Sequence, residues 1–243
     1  MTHIHLLEIE FEFGGERQTI WPVIIRNESD TILVDSGYPH FLERLEEAAN
    51  RQGIGFETIT KMILTHDDID HLGSAAALKK KYPHVEILAF ESEADYINGT
   101  RKSLRLEQAE RTLDELSGEA RTNAEQFIRF LKSAEPVQVD RTLQQDEQLS
   151  DGDIVVIHTP GHTPGHISLY ITSSKTLIAG DALVVENEKL NIANPQYCLN
   201  LHDAIQSVRR LQHYEISRLI CYHGGLFQGN VKTALSGVIE KYS

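Results

Sequence analysis

The chain has 243 residues, 40% of them apolar, enough to bury a sizeable core. Its formal net charge of −13 lacks the basic footprint that a nucleic-acid backbone or an anionic membrane surface requires. Two cysteines, Cys198 and Cys221, give neither a C-x-x-C unit nor a disulfide framework, and no signal-peptide pattern or apolar run of bilayer length is present, which leaves a cytoplasmic protein with a small-molecule partner as the expectation.

In chain order, "HIHLLEIEFEF" alternates apolar and acidic residues and reads as a strand with one wet face. "PVIIRNESDTILVDSG" places two apolar runs around a turn and reads as a hairpin. "HFLERLEEAANRQG" has helical spacing and stops at Gly53. "ITKMILTH" is a strand ending at His66, "GSAAALKKKYP" a short helix closed by Pro83, and "VEILAF" a strand. Residues 92–133 turn polar and helical, with Leu104, Leu106, Ala109, Leu113 and Leu116 near a helical period, and read as two or three helices outside the main core. Strands are then expected in "PVQVDRTLQ", "DIVVIHTP", "HISLYIT" and "TLIAGDAL". A helix in "LHDAIQSVRRLQHY", a strand in "RLICYH" and a helix in "NVKTALSGVIEKY" complete the chain. No linker divides it, so residues 1–243 read as a single domain with a helical insertion at about 92–133, which suits either a lid or a homodimer contact.

Four short stretches carry the chemistry. They are "THDDIDHLG" with His66, Asp68, Asp70 and His71, "TPGHTPGH" with His162 and His166, "AGDAL" with Asp181, and "YHGG" with His223. Each follows an apolar strand, where loops gather at one end of a sheet. Imidazole and carboxylate are ligands suited to Zn, Fe or Mn. Gly161 and Gly165 permit a tight path around His162.

In that order and spacing the four stretches resemble the metallo-β-lactamase superfamily, over nearly the whole chain and including "LVDSG" with Asp35. The resemblance implies an α/β fold, a four-layer αββα sandwich with two metals at one edge. It implies that His66, Asp68 and His162 hold one ion, that Asp70, His71 and His223 hold the other, and that Asp181 bridges them. Asp35 is implied to orient the ligand loop. The implied activity is a dinuclear metallo-hydrolase in which a metal-bound hydroxide attacks an ester, lactone or thioester carbonyl, with Asp70 and Asp181 as the catalytic carboxylates. Two divalent metal ions are the implied cofactors, Zn first, with Fe or Mn as alternatives. Val184 stands where lactonases of the superfamily often carry tyrosine, and the C-terminus lacks the basic region of glyoxalase II-like thioesterases. A mononuclear iron persulfide-dioxygenase-like oxidoreductase and a metal-binding scaffold without catalysis remain as the other classes.

One residue departs from the superfamily pattern. Its usual motif, HxHxDH, has histidine where this chain has Asp68, making HxDxDH. Three ligand carboxylates then offset two divalent ions more fully, so a harder and less Lewis-acidic first position is expected. Asp67 is expected on the other face of the turn, solvated or capping a helix. His166 is assigned to packing behind the site, and His158 to the core. Tyr197 reads as an ordinary loop tyrosine. His3, His5, His40, His84, His202 and His213 read as surface or satisfied core residues.

Overall fold

The computed structural model describes residues 1–193 and 195–242. The first half supplies β1 (His3–Leu6), β2 (Ile9–Phe13), β3 (Glu16–Ile20), β4 (Val23–Arg26), β5 (Thr31–Val34), α1 (Leu42–Arg51), β6 (Lys61–Leu64), α2 (Ile69–Leu72), α3 (Ala75–Lys81) and β7 (Glu86–Phe90). Three helices follow, α4 (Ala94–Ile97), α5 (Leu104–Thr112) and α6 (Gly118–Leu131), and then β8 (Arg141–Leu143). The second half runs β9 (Gln148–Leu149), β10 (Ile154–His158), β11 (Ile167–Ile171), β12 (Thr176–Ile178), β13 (Val184–Glu186), β14 (Lys189–Asn191), α7 (Leu201–Leu211), β15 (Arg218–Cys221), β16 (Gly225–Leu226) and α8 (Val231–Lys241).

Each half builds one six-stranded sheet, ordered β1-β4-β5-β6-β7-β8 and β16-β15-β12-β11-β10-β9. Strands β5 to β8 pair in parallel, as do β12 and β15. Parallel neighbours require crossovers, and the helices supply them. The sheets face each other across Ile32, Val34, Ile63 and Leu88 on one side and Ile154, Val156, Leu169 and Ile220 on the other. The outer face of the first sheet buries Leu33, Met62 and Ile87 under α1 and α3, with Leu45 and Leu78. The outer face of the second buries Leu177 and Leu219 under α7 and α8, with Leu211 and Leu235. This is the αββα order. Strand β5 is buried at every residue because both of its faces are covered.

The architecture fixes where the motifs land. Parallel strands end on the same side, so the residues just past β5 and β6 lie together, as do those past β12 and β15. Those residues are Asp35, His66, Asp181 and His223.

Three local readings change. "HIHLLEIEFEF" is two strands: β1 joins the first sheet and β2 pairs with β3 in a separate hairpin. Gly14 and Gly15 form its turn, both with positive φ, which the tight hairpin geometry demands. "PVQVDRTLQ" is extended strand only over β8, and Val137 and Val139 are buried in coil. The hairpin β13–β14 was not anticipated. Among the described residues, no helix is long and apolar enough to cross a membrane.

Candidate metal centre

The chain leaves β6 at Leu64, and its next residues build most of the site. Asp68 is extended, with φ −68° and ψ 145°, and the backbone then makes the single turn of α2 carrying Asp70 and His71. That change of conformation separates the side chains into two sets. His66, Asp68 and His162 form one group, and Asp70, His71 and His223 another, with ligand atoms in each within 4.8 Å of one another. His162 follows β10, and Gly161 lets its loop lie against the start of α7. A Cβ on Gly161 would stand 2.2 Å from the Ala204 nitrogen, and its φ is +134°.

The distances within and between the groups run from 2.9 to 3.7 Å and bracket those of ligands around a small cation. Asp68 Oδ2 is 2.9 Å from His162 Nε2 and 3.6 Å from His66 Nε2. Asp70 Oδ2 is 3.1 Å from His223 Nε2 and 3.7 Å from His71 Nε2. Asp181 lies between the groups. Its Oδ1 is 3.4 Å from His71 Nε2, and its Oδ2 is 3.5 Å from both His162 Nε2 and His223 Nε2. Ligands at ~2.0–2.1 Å from a tetrahedral ion stand roughly 3.3–3.4 Å apart. The Nε2 atoms of His66 and His71 and Oδ1 of Asp181 are buried with no hydrogen-bond partner. Buried polar atoms rarely lack a partner, so these fit donors held for a cation.

The neighbours set the tautomers that such ligands need. Asp35 Oδ2 accepts from His71 Nδ1 at 2.8 Å, and Thr65 donates its backbone N–H and its hydroxyl to the same carboxylate. With its proton committed to Asp35, the Thr65 oxygen accepts from His66 Nδ1 at 3.0 Å. Both imidazoles therefore turn a lone pair on Nε2 toward the site. Asp35 holds this position with a left-handed backbone, φ 62°. His166 stays behind the site: its Nε2 accepts the Asp181 N–H at 2.9 Å, and its Nδ1 donates to Thr159 Oγ1. Tyr222 packs its ring 3.9 Å from that of His71 and donates to the Asp70 carbonyl.

The carboxylates make the site electronegative, and the imidazoles beside them respond. Burial pushes the His223 pKa down, but Asp181 and Asp70 outweigh it and lift it to about 10. His71 is likewise raised despite its burial, by Asp35, Asp181 and Asp70. Burial pushes Asp181 up, and the imidazoles of His223 and His71 hold it well below the usual carboxylate range. Burial and the neighbouring His71 hold His66 down. His223 is the most open of the set, with its side chain 35% exposed against 16% or less for the others. The site is therefore most accessible from the His223 side.

Three residues that sequence reasoning passed over complete the surroundings. Glu93 is fully buried just past β7. Its Oε1 accepts the N–H of Asp67, between two ligand positions, and its Oε2 accepts the N–H of Gly165. One carboxylate thus ties the His66 loop to the His162 loop. Gly165 is required there, because a Cβ would lie 2.5 Å from Glu93 Oε2. Asp67, expected to be solvated, is buried beside this carboxylate. Burial and the adjacent Asp68 charge raise its pKa to about 6. Arg105, in the first turn of α5, forks onto Asp68, and its charge offsets the extra carboxylate. The extra negative charge that Asp68 brings relative to histidine is therefore balanced from outside the motif. No sequence signal marked Glu93 or Arg105, since "ESEAD" and "SLRLEQ" look like solvated helix. Tyr38 stacks with Phe13 at the tip of β2–β3 and meets Phe130 of α6, joining that hairpin to the helical segment. His158 lies outside both groups, stacked on Phe90. Tyr197 is exposed, with its ring 5.5 Å from the Arg105 guanidinium.

Residues 17–223 match the metallo-beta-lactamase superfamily. The chain belongs to that superfamily. It is 24% identical over 221 residues to the probable metallo-hydrolase YybB of Bacillus subtilis, covering 90% of this chain and 88% of YybB. It is 28% identical to the probable metallo-hydrolase YflN of the same organism, covering 87% of this chain and 82% of YflN. Among solved structures, the family protein TTHA1429 of Thermus thermophilus superposes with a TM-score of 0.76 at 22% identity, over 98% of this chain and 79% of its own. A metallo-beta-lactamase from Pontibacter korlensis gives 0.68 at 17% identity, over 98% and 94%. These likenesses agree with the αββα order of this superfamily member.

Proposed function

We propose that this metallo-β-lactamase superfamily member is a dinuclear metallo-hydrolase that cleaves the ester, lactone or thioester carbonyl of a small molecule. The observation that carries the reading is Asp181, whose two oxygens reach imidazoles of both ligand groups. His66, Asp68 and His162 would hold one divalent ion, Asp70, His71 and His223 the other, and Asp181 would serve both. Such ions supply a Lewis acid for the carbonyl oxygen and lower the pKa of bound water. Four imidazoles suit Zn, and the carboxylates leave Fe or Mn as alternatives.

The chain's own residues have distinct tasks. Asp35 and Thr65 keep His71 and His66 in the ligating tautomer. His166 fixes the backbone of Asp181. Asp70 is the most exposed of the three site carboxylates and lies beside the open His223, which supports a role in accepting a proton from the attacking water and passing it to the leaving group. The aromatic contacts of Phe13, Tyr38 and Phe130 support residues 92–133 as a lid on a single unit spanning 1–243. The net charge of −13 supports a small-molecule substrate rather than a nucleic acid.

Metal analysis of protein purified without chelator, followed by an ester, lactone and thioester panel, tests this. Two ions per chain with turnover that chelation abolishes is the expected result. One iron per chain with oxygen uptake would replace the hydrolase with an oxygenase, and no bound metal would end the reading.

A further inference from the structure

The helical segment between β7 and β8 meets the body in an unusual way. The one buried residue of α5 is Arg105, and that of α6 is Ile128. A surface helix ordinarily docks through an apolar stripe; α5 docks through a guanidinium. Arg105 is 5% exposed and is the only lysine or arginine buried among the described residues. Its Nη2 donates to Asp68 Oδ2 at 2.8 Å and its Nε to Oδ1 at 3.2 Å. Its Nη1 lies 3.4 Å from Gln108 Oε1, and the Tyr197 ring covers it at 5.5 Å.

Asp68 therefore has two sets of partners. Oδ1 is engaged by Arg105, and Oδ2 is shared between Arg105 and the His66–His162 side. The fork fixes the carboxylate plane, so that one oxygen is offered to the site and the other is withheld. We propose that Asp68 and Arg105 act as one charge-neutral ligand unit of the first metal position, which makes α5 a structural part of the metal centre and Arg105 its positioning residue. The proposal rests on the metallo-hydrolase reading. It explains how a third carboxylate is accommodated beside Asp70 and Asp181 without a loss of net positive charge around the centre. It also requires that the two residues be exchanged together. A third imidazole at position 68 would strand Arg105 as a buried, unpaired cation beside two ions. A neutral residue at 105 would leave Asp68 unheld and lower the net positive charge around the centre by one.

A double-mutant cycle on Asp68→His and Arg105→Gln tests the pairing. Zn²⁺ affinity at each position is measured by competition with a chromophoric chelator, and thermal unfolding of the chelated protein is followed alongside. Each single substitution is expected to weaken one of the two ions by about 10–100-fold. The double variant should recover to within about threefold of the wild type, because a neutral ligand then faces a neutral neighbour. The ion at Asp70, His71 and His223 should bind equally in all four proteins, which a general folding defect would not spare. Arg105→Lys keeps the charge and loses the fork, so it should fall between the wild type and Arg105→Gln. That variant decides the matter if Asp68→His does not fold. Additive losses in the double variant, or full first-ion affinity in Arg105→Gln, overturn the pairing while leaving the hydrolase reading intact. A wild type that takes up no Zn²⁺ removes both.

Discussion

Replacing Glu93 by glutamine changes almost no volume but removes one of the two acceptors that hold the ligand loops together. Glu93 Oε1 receives the Asp67 N–H at 3.1 Å and Oε2 the Gly165 N–H at 2.8 Å. The amide has a single carbonyl oxygen, so its NH₂ must face one of these backbone donors. A buried N–H left without its acceptor costs about 1–3 kcal/mol. For a chain of this size each kcal/mol lowers the thermal midpoint by roughly 2–4 °C, so a fall of roughly 2–12 °C is expected. Gly165→Ala attacks the same contact from the other side, since its Cβ would stand 2.5 Å from Glu93 Oε2. Its overpacking should cost ~1–3 kcal/mol. Because both changes displace one carboxylate, their combination should cost clearly less than the sum. The assay is thermal unfolding of chelated protein, with the exposed Glu91→Gln as control. A Glu93→Gln protein that melts with the wild type, or fully additive losses in the pair, would refute the clamp.

Other outcomes follow from the same geometry. Asp181→Ala should abolish turnover and most metal-dependent stabilisation, because its oxygens reach imidazoles of both groups; full metal content with normal turnover would remove the proposed bridging role. Zn²⁺ at 100 times its dissociation constant should stabilise the chelated protein by ~2.7 kcal/mol, read as a thermal shift of roughly 5–11 °C. Burial pushes the Asp140 carboxyl up, but Lys79 and the Ile87 N–H outweigh it and hold its pKa below the ordinary value. Its contribution is therefore present above the unfolded aspartate value of about 3.8 and lost as pH falls through the folded one. Asp140→Asn should flatten that acid limb in denaturant midpoints taken from pH 5 down to pH 3, and an unchanged slope would contradict it. Limited proteolysis should cut first within 113–131, where α6 buries only Ile128; first cuts in α7 or α8 would argue against a loosely held α6.

Much of the fold was legible in the sequence, because the relevant signals are local. Two-residue alternation and unbroken apolar runs marked β4, β5, β6, β7, β10 and β11, and a 3.6-residue period with Gly53 as its stop marked α1. The strand-end positions of the candidate site were legible for the same reason, while the ligand roles proposed for them came from the resemblance to the superfamily. His66, Asp181 and His223 each follow an apolar run directly, and parallel strands bring such ends to one edge. What only the tertiary structure decided lies in pairings between distant segments. Glu93 and Arg105 stand in polar helical sequence where solvent exposure is the ordinary outcome. Each is buried because a partner far along the chain, the Gly165 N–H in one case and the Asp68 carboxylate in the other, compensates the loss of water. Asp67 was misplaced because its surroundings are set by Glu93, and the β1–β2 break because two strands of one alternating run belong to different sheets. Periodicity reports which face of an element is apolar; it carries no information about which buried charge will find an opposite charge across the fold.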